Sequence, residues 1–251
     1  MKPIAFITGA TSGIGEACAK YLADKYYLII CGRRADRLES LAKGLQVKTA
    51  VHTLTFDVSD RAATMAAIES LPDNWKEIDV LINNAGNAHG LDLIHEGNVD
   101  DWDAMIDINV KGLLYVSKAV LPGMVTRGHG HVINIGSIAG VESYRKGAVY
   151  NASKFAVDAI SQGMRRDLVE NGIKVSEIKP GLVETEFSLV RFKGDEEKAK
   201  PVYEGIEPLY ARDIADAVMY VVTRPKHVNI ADMLILPLAQ AGATLVHRNK
   251  D

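Results

Sequence analysis

The sequence predicts an α/β fold, a doubly wound parallel sheet of about seven strands with helices on both faces. Three observations carry that prediction. Short runs rich in β-branched residues alternate with amphipathic helical stretches along the chain, the pattern of strands joined by crossover helices. Most strand-like runs are apolar at nearly every position, as expected for strands covered on both sides. A glycine-rich turn follows the first strand and opens the first helix.

Taken in order, the strands are predicted at 4–8, 27–31, 48–55, 80–83, 131–135, 174–179 and 233–236. The helices between them are predicted at 13–25, 34–45, 60–70, 101–126, 149–170 and 211–223. Ser59 and Asp60, and Arg212 and Asp213, place capping residues at two helix starts. No repeat, low-complexity tract or linker divides the sequence, so residues 1–251 read as one domain. The exception to regularity is 183–208, which is charged and interrupted by Gly194, Pro201 and Gly205. A long loop in a compact domain is commonly a lid or binding loop, and a substrate lid is expected here.

Composition bounds the function. The 251 residues are 47% hydrophobic and 24% charged, enough for one large core. A net charge of -3 with no concentrated basic patch argues against a nucleic-acid partner. Cys18 and Cys31 sit in apolar periodic segments and read as buried hydrophobes. The glycine loop comes too early for a signal peptide, and no apolar run approaches the roughly 20 residues of a membrane span. No membrane partner and a cytoplasmic setting are therefore expected. His89, His95, His129 and His131 lack metal-ligand spacing and read as ordinary surface or loop residues, so no metal is expected.

The turn Gly9, Ala10, Thr11, Ser12, Gly13, Ile14 and Gly15 has a physical reading. Gly9 permits the tight turn, Gly13 admits a pyrophosphate close to the backbone, and Gly15 allows close helix–strand contact. The phosphates then face the positive end of a helix. Strand, turn and helix in this order predict a Rossmann-type dinucleotide site. The second strand ends not on an acid, which would take a ribose hydroxyl, but on Arg33 and Arg34. Guanidinium groups match a 2′-phosphate, so the cofactor is predicted to be NADP. Asp57 and Val58, after the third strand, are placed to reach the adenine edge; a plain strand-end turn is the alternative.

Tyr150 and Lys154 stand four residues apart, so phenol and ammonium project from one helix face. A nearby cation favours phenolate and suits a tyrosine to general acid–base work.

Together these residues resemble the short-chain dehydrogenase/reductase family over nearly the whole chain. The resemblance rests on the glycine loop, on Asn83, Asn84, Ala85 and Gly86 after the fourth strand, and on Asn109 in a long helix. It rests equally on Ser137, on Tyr150 with Lys154, and on Pro180 and Gly181 after the sixth strand. Asp101 and Trp102, the run from Ala119 to Met124 and the run from Val190 to Asp195 are similar to the NADP-dependent 3-hydroxy acid dehydrogenases.

The resemblance implies hydride transfer between NADP and the 3-carbon of serine, allo-threonine or similar 3-hydroxy acids. Tyr150 would carry the proton, Lys154 would lower its pKa and bind the nicotinamide ribose, and Ser137 would hold the substrate oxygen. Asn109 would hold a proton-relay water, with a satisfied structural Asn as the alternative. Asn84, Ala85 and Gly86 would pass along the ribose. Pro180, Gly181 and Val183 would flank the nicotinamide. Thr185 would bond its carboxamide or a phosphate, or else cap a lid helix. A hydroxy acid needs a carboxylate partner; Arg191 is favoured over Lys193 and Arg145, and each has the alternative of a solvated loop charge. Rival readings are a broad-specificity NADPH-dependent carbonyl reductase and a non-catalytic NADP-sensing module. A homotetramer is expected from the resemblance.

Overall fold

The computed structural model describes residues 2–249. In chain order it forms β1 (Ile4–Ile7), α1 (Gly13–Leu22), β2 (Tyr27–Gly32), α2 (Ala35–Leu45), β3 (Val51–Thr55), α3 (Arg61–Glu69) and β4 (Ile78–Asn83). Then come α4 (Val99–Ile106), a π-helical turn (Asp107–Gly112), α5 (Leu113–Arg127), β5 (Gly130–Ile135), α6 (Ala148–Leu168) and β6 (Ile173–Pro180). The chain closes with β7 (Val183–Glu184), α7 (Phe187–Arg191), α8 (Glu196–Ala199), β8 (Leu209–Tyr210), α9 (Ala211–Val222) and β9 (Asp232–Ile235).

Seven strands form one sheet in the order β3-β2-β1-β4-β5-β6-β9, and every pairing is parallel. The chain reverses its direction of travel across the sheet between β1 and β4. Crevices that take nucleotides open at such a switch point. Although the strands read as unbroken apolar runs, their residues alternate between two cores. Ala5, Ile7, Leu28, Ile30, Ile82, Ile133 and Ile178 face a core closed by α1, α2 and α9. Phe6, Ile29, Leu81, Val132 and Val175 face one closed by α5 and by Ile68 of α3. Burial on both sides of the central strands explains why most of them show no period of two, while the edge strands β3 and β9 are partly exposed.

The structure departs from the predicted elements at intelligible places. Strand β3 starts at Val51 rather than residue 48, because Thr49 is held off the sheet by a 2.5 Å bond from its hydroxyl to the Tyr26 carbonyl. The long helix predicted at 101–126 contains the π-helical turn, which carries Asn109. Asp60 caps α3 by accepting from the Ala63 amide at 2.9 Å, and Asp213 accepts from the Tyr210 amide at 2.7 Å. Segment 183–208 is not a bare loop: β7, α7 and α8 lie in it, and β7 pairs with β8. No helix among the described residues is long and apolar enough to cross a membrane.

Candidate active site

The glycine loop is pinned between two strands. The Thr8 amide bonds the Ile82 carbonyl of β4 at 3.0 Å, and the Ala10 amide bonds the Cys31 carbonyl of β2 at 2.9 Å. A Cβ on Gly15 would strike the Gly9 carbonyl oxygen and the Asn84 amide, so helix and loop meet only because Gly15 has no side chain. Gly13 has φ +55 and stands against Thr185. Ser12 is the extended N-cap of α1, and no side chain caps that end. The leading amides thus remain available to an anion.

The Asn84 side chain is turned to the glycine loop. Its amide donates to the Thr8 carbonyl at 2.9 Å and the Gly9 carbonyl at 3.2 Å, bracing the loop. Ala85 and Gly86 follow close beside it, with the Ala85 amide on the Thr8 hydroxyl.

The two arginines separate. Arg34 stays at the loop, donating to the Thr11 hydroxyl at 2.9 Å and the Ser12 hydroxyl at 3.0 Å. Arg33 points outward and pairs with Asp57 at 3.3 Å. Asp57 also accepts from the Ser59 amide and hydroxyl, so its carboxylate is engaged in a strand-end turn, the alternative reading. Those bonds and Arg33 outweigh burial and hold its carboxyl below the usual range. Val58 is buried against Gly112. Two residues were missed here. Glu186 bridges Arg34 at 3.1 Å and Arg37 at 2.7 Å. No short-range pattern announces a pair 149 residues apart.

At the C-terminal ends of β5 and β6 the remaining residues converge. Ser137 begins a tight turn after β5, its hydroxyl accepting from the Ala139 amide at 3.1 Å. Tyr150 and Lys154 are buried on α6. Lys154 donates to the Ile135 carbonyl at 2.9 Å. Burial pulls its ammonium down to about 8, against an upward push from Glu177. Burial raises the Tyr150 phenol, and the charge that pulls it back is that of Arg191, helped by the Ser137 hydroxyl. The guanidinium carbon of Arg191 lies 4.9 Å from the Tyr150 ring centre.

Asn109 is saturated: it accepts from the Asn87 amide at 2.8 Å and donates to the Asn87 carbonyl and the Ser153 hydroxyl. Its side-chain groups are thus satisfied within the chain, as the structural alternative has it.

Above Tyr150 lies segment 183–208. Thr185 accepts from the Phe187 amide at 3.2 Å, the capping alternative, while its side chain stays against Gly13. Phe187 and Tyr150 have ring centres 5.7 Å apart. Arg191 donates to the Tyr144 hydroxyl at 3.0 Å, and its buried Nε has no partner among the described residues. It faces a pocket with His89, Asp101, Trp102, Met105 and Tyr150 on its walls. Lys193 pairs with Asp101 at 3.0 Å, and Arg145 is exposed, so neither offers a free donor there as Arg191 does. The Gly181 amide bonds the Ile235 carbonyl, Pro180 ends β6, and Val183 is buried in β7.

Two smaller expectations also resolve. Cys18 and Cys31 are buried free thiols, pushed up to about 12 by burial. His131 is no surface residue: it is buried in β5, bonded to the Ser176 hydroxyl at 2.8 Å, and desolvation pulls it down to about 3.

The crevice residues fit NADP. The uncapped start of α1 and the close-packed glycines suit a pyrophosphate, and Arg33, Arg34 and Arg37 supply cations at the end of β2. Comparison with known proteins agrees. Residues 3–195 match the short chain dehydrogenase family. The chain is 48% identical over 249 residues to the NADP-dependent 3-hydroxy acid dehydrogenase YdfG of Salmonella typhi, covering 98% of this chain and 100% of that one. It is 44% identical to the NADP-dependent 3-hydroxy acid dehydrogenase of Schizosaccharomyces pombe, covering 97% and 96%. Its fold superposes on the closed form of a serine dehydrogenase complexed with NADP+ with a TM-score of 0.92 and 45% identity, covering 98% and 100%. The chain belongs to the short-chain dehydrogenase family, as an NADP-dependent oxidoreductase acting on CH–OH groups.

Proposed function

We propose that this enzyme oxidises small 3-hydroxy acids, such as serine, allo-threonine and 3-hydroxypropionate, at the 3-hydroxyl. The observation that carries the reading is Arg191: a half-buried guanidinium with an unpartnered Nε, over the Tyr150 ring and among the residues that line a pocket with it. A carboxylate placed beside the tyrosine would satisfy such a donor. The similarity to 3-hydroxy acid and serine dehydrogenases supports the same class.

NADP, when bound, supplies the hydride acceptor or donor. The chain's own residues do the rest. The α1 amides, Arg34 and Arg33 hold the phosphates. Tyr150 as phenolate takes the proton of the substrate hydroxyl in oxidation, and as phenol returns it in reduction. Ser137 orients the substrate oxygen, and Lys154 holds its charge beneath the tyrosine. Segment 183–208 acts as the substrate lid, bringing Phe187 and Arg191 over Tyr150 and excluding water. The whole chain acts as one catalytic domain, in a cytoplasmic homotetramer.

The test compares 3-hydroxypropionate with propane-1,3-diol, which replaces the carboxylate by a hydroxymethyl group. The reading expects kcat/KM to fall at least about tenfold for the diol, the loss of one charged hydrogen bond. Equal values for the two would favour a broad alcohol–carbonyl reductase instead.

A further inference from the structure

Glu177 is the least explained side chain in the structure. It lies in β6, fully buried, and neither carboxyl oxygen has a hydrogen-bond partner among the described residues. Buried unsatisfied carboxyl oxygens are rare and call for a reason.

Its surroundings supply one. Its carboxyl lies over Gly136, where a Cβ would collide with it, and Gly136 immediately precedes Ser137. Lys154 donates to the carbonyl of Ile135. The two side chains therefore end on the same peptide unit, Ile135–Gly136. On the far side of Glu177 stands Lys179, 3.7 Å away, itself paired with Asp158 of α6 at 2.6 Å and Asp232 of β9 at 2.9 Å. Arg165 of α6 reaches Asp232 at 3.5 Å. The three carboxylates approach one another within 4.8 Å, but Lys179 stands among them, so the cluster carries its own cation. The charged groups around Glu177 are thus Lys154 and Asp158 from the helix, Lys179 from its own strand and Asp232 from the next; β5 and the Gly136 that follows it add no charge.

We propose that Glu177 is a positioning residue for the Tyr150–Lys154 pair, its carboxylate holding the Lys154 ammonium charged from beneath the helix. The proposal rests on the roles given above to Tyr150 and Lys154. Burial, with Asp158 and Asp232, pushes the Glu177 carboxyl up to about 8 against the pull of Lys179. Lys154 is pulled down to about 8 by burial. When ionised, Glu177 therefore opposes the loss of the Lys154 charge that burial favours, and where it is neutral its replacement by an amide changes little.

The asymmetry is measurable. Lysine ¹³Cε resonances are followed through a pH titration of the cofactor-free protein, with Lys154→Arg to assign the signal. In Glu177→Gln the Lys154 midpoint should fall by about one pH unit, the size expected of one lost charge at close range in a partly screened interior. In turnover, the alkaline limb of the oxidation profile should move down equally while the acid limb stays. Glu177→Asp should restore the limb in part. An unmoved Lys154 midpoint, or a loss of kcat uniform across pH, overturns the proposal and leaves Glu177 a packing residue. Because the titration needs no turnover, it is separable from failure of the catalytic reading, which Tyr150→Phe tests.

Discussion

Replacing Arg191 by alanine should raise KM for L-serine by about 10- to 150-fold while leaving NADPH affinity unchanged. The magnitude follows from the geometry. Arg191 keeps one bond within the protein, to Tyr144, has an unpartnered Nε among the described residues, and lines the pocket beside Tyr150. A hydrogen bond to a charged group contributes about 1.5–3 kcal/mol, which converts to that range. Arg191→Lys should recover only part of the loss, since an ammonium lacks the planar fork. A second effect has a definite sign. The guanidinium lowers the Tyr150 phenol against burial, so its removal raises the phenol further. Oxidation requires phenolate, and its acid limb should therefore shift to higher pH in Arg191→Ala. Steady-state kinetics across pH, with NADPH binding by fluorescence as control, reads both effects. Serine kinetics and acid limb both unchanged would refute the assignment.

Three other outcomes are expected. Arg34→Ala should weaken NADPH binding by roughly tenfold or more and leave NADH binding unchanged, because the lost ion pair is with the 2′-phosphate; equal losses for both would place Arg34 elsewhere. Gly15→Ala should abolish detectable NADPH binding and destabilise the fold by about 1–3 kcal/mol, since the new Cβ meets the Gly9 carbonyl; a normal urea midpoint with intact binding would contradict that. His131 is neutral when folded, held at about 3 against an ordinary 6.5. Its contribution is complete above pH 6.5 and is lost as pH falls toward 3, roughly 3 kcal/mol between pH 7 and 4. His131→Gln should narrow the difference in urea midpoint between those two pH values, and an unchanged difference would remove His131 as the cause.

Much of the fold was legible because burial on both faces forces long apolar strands, and capping residues such as Asp60 act locally. The glycine loop was legible for the same reason: its chemistry is contiguous in sequence. What stayed hidden depends on distant contacts. Arg34 is claimed by Glu186 from across the crevice, and Asn109 by Asn87 and Ser153, so neither role follows from local pattern. A second cation reaches Tyr150 from Arg191 of α7, a contact no local pattern announces, while Lys154, one turn along α6, donates to the Ile135 carbonyl. Glu177 and Lys179 stand in a strand that is covered on both sides, and His131 lies near the start of another. Charged or titratable residues in a strand covered on both sides must find partners or shift their protonation, and both happen here.

The account turns on proton transfer by Tyr150 to and from a hydroxy acid. NADPH formation from NADP and L-serine, L-allo-threonine or 3-hydroxypropionate, followed by absorbance in the wild type and in Tyr150→Phe, tests it most directly. The account predicts turnover in the wild type and a fall in kcat of about 10²- to 10⁴-fold in the phenylalanine variant, with NADP binding preserved. Wild-type turnover retained by Tyr150→Phe would contradict it.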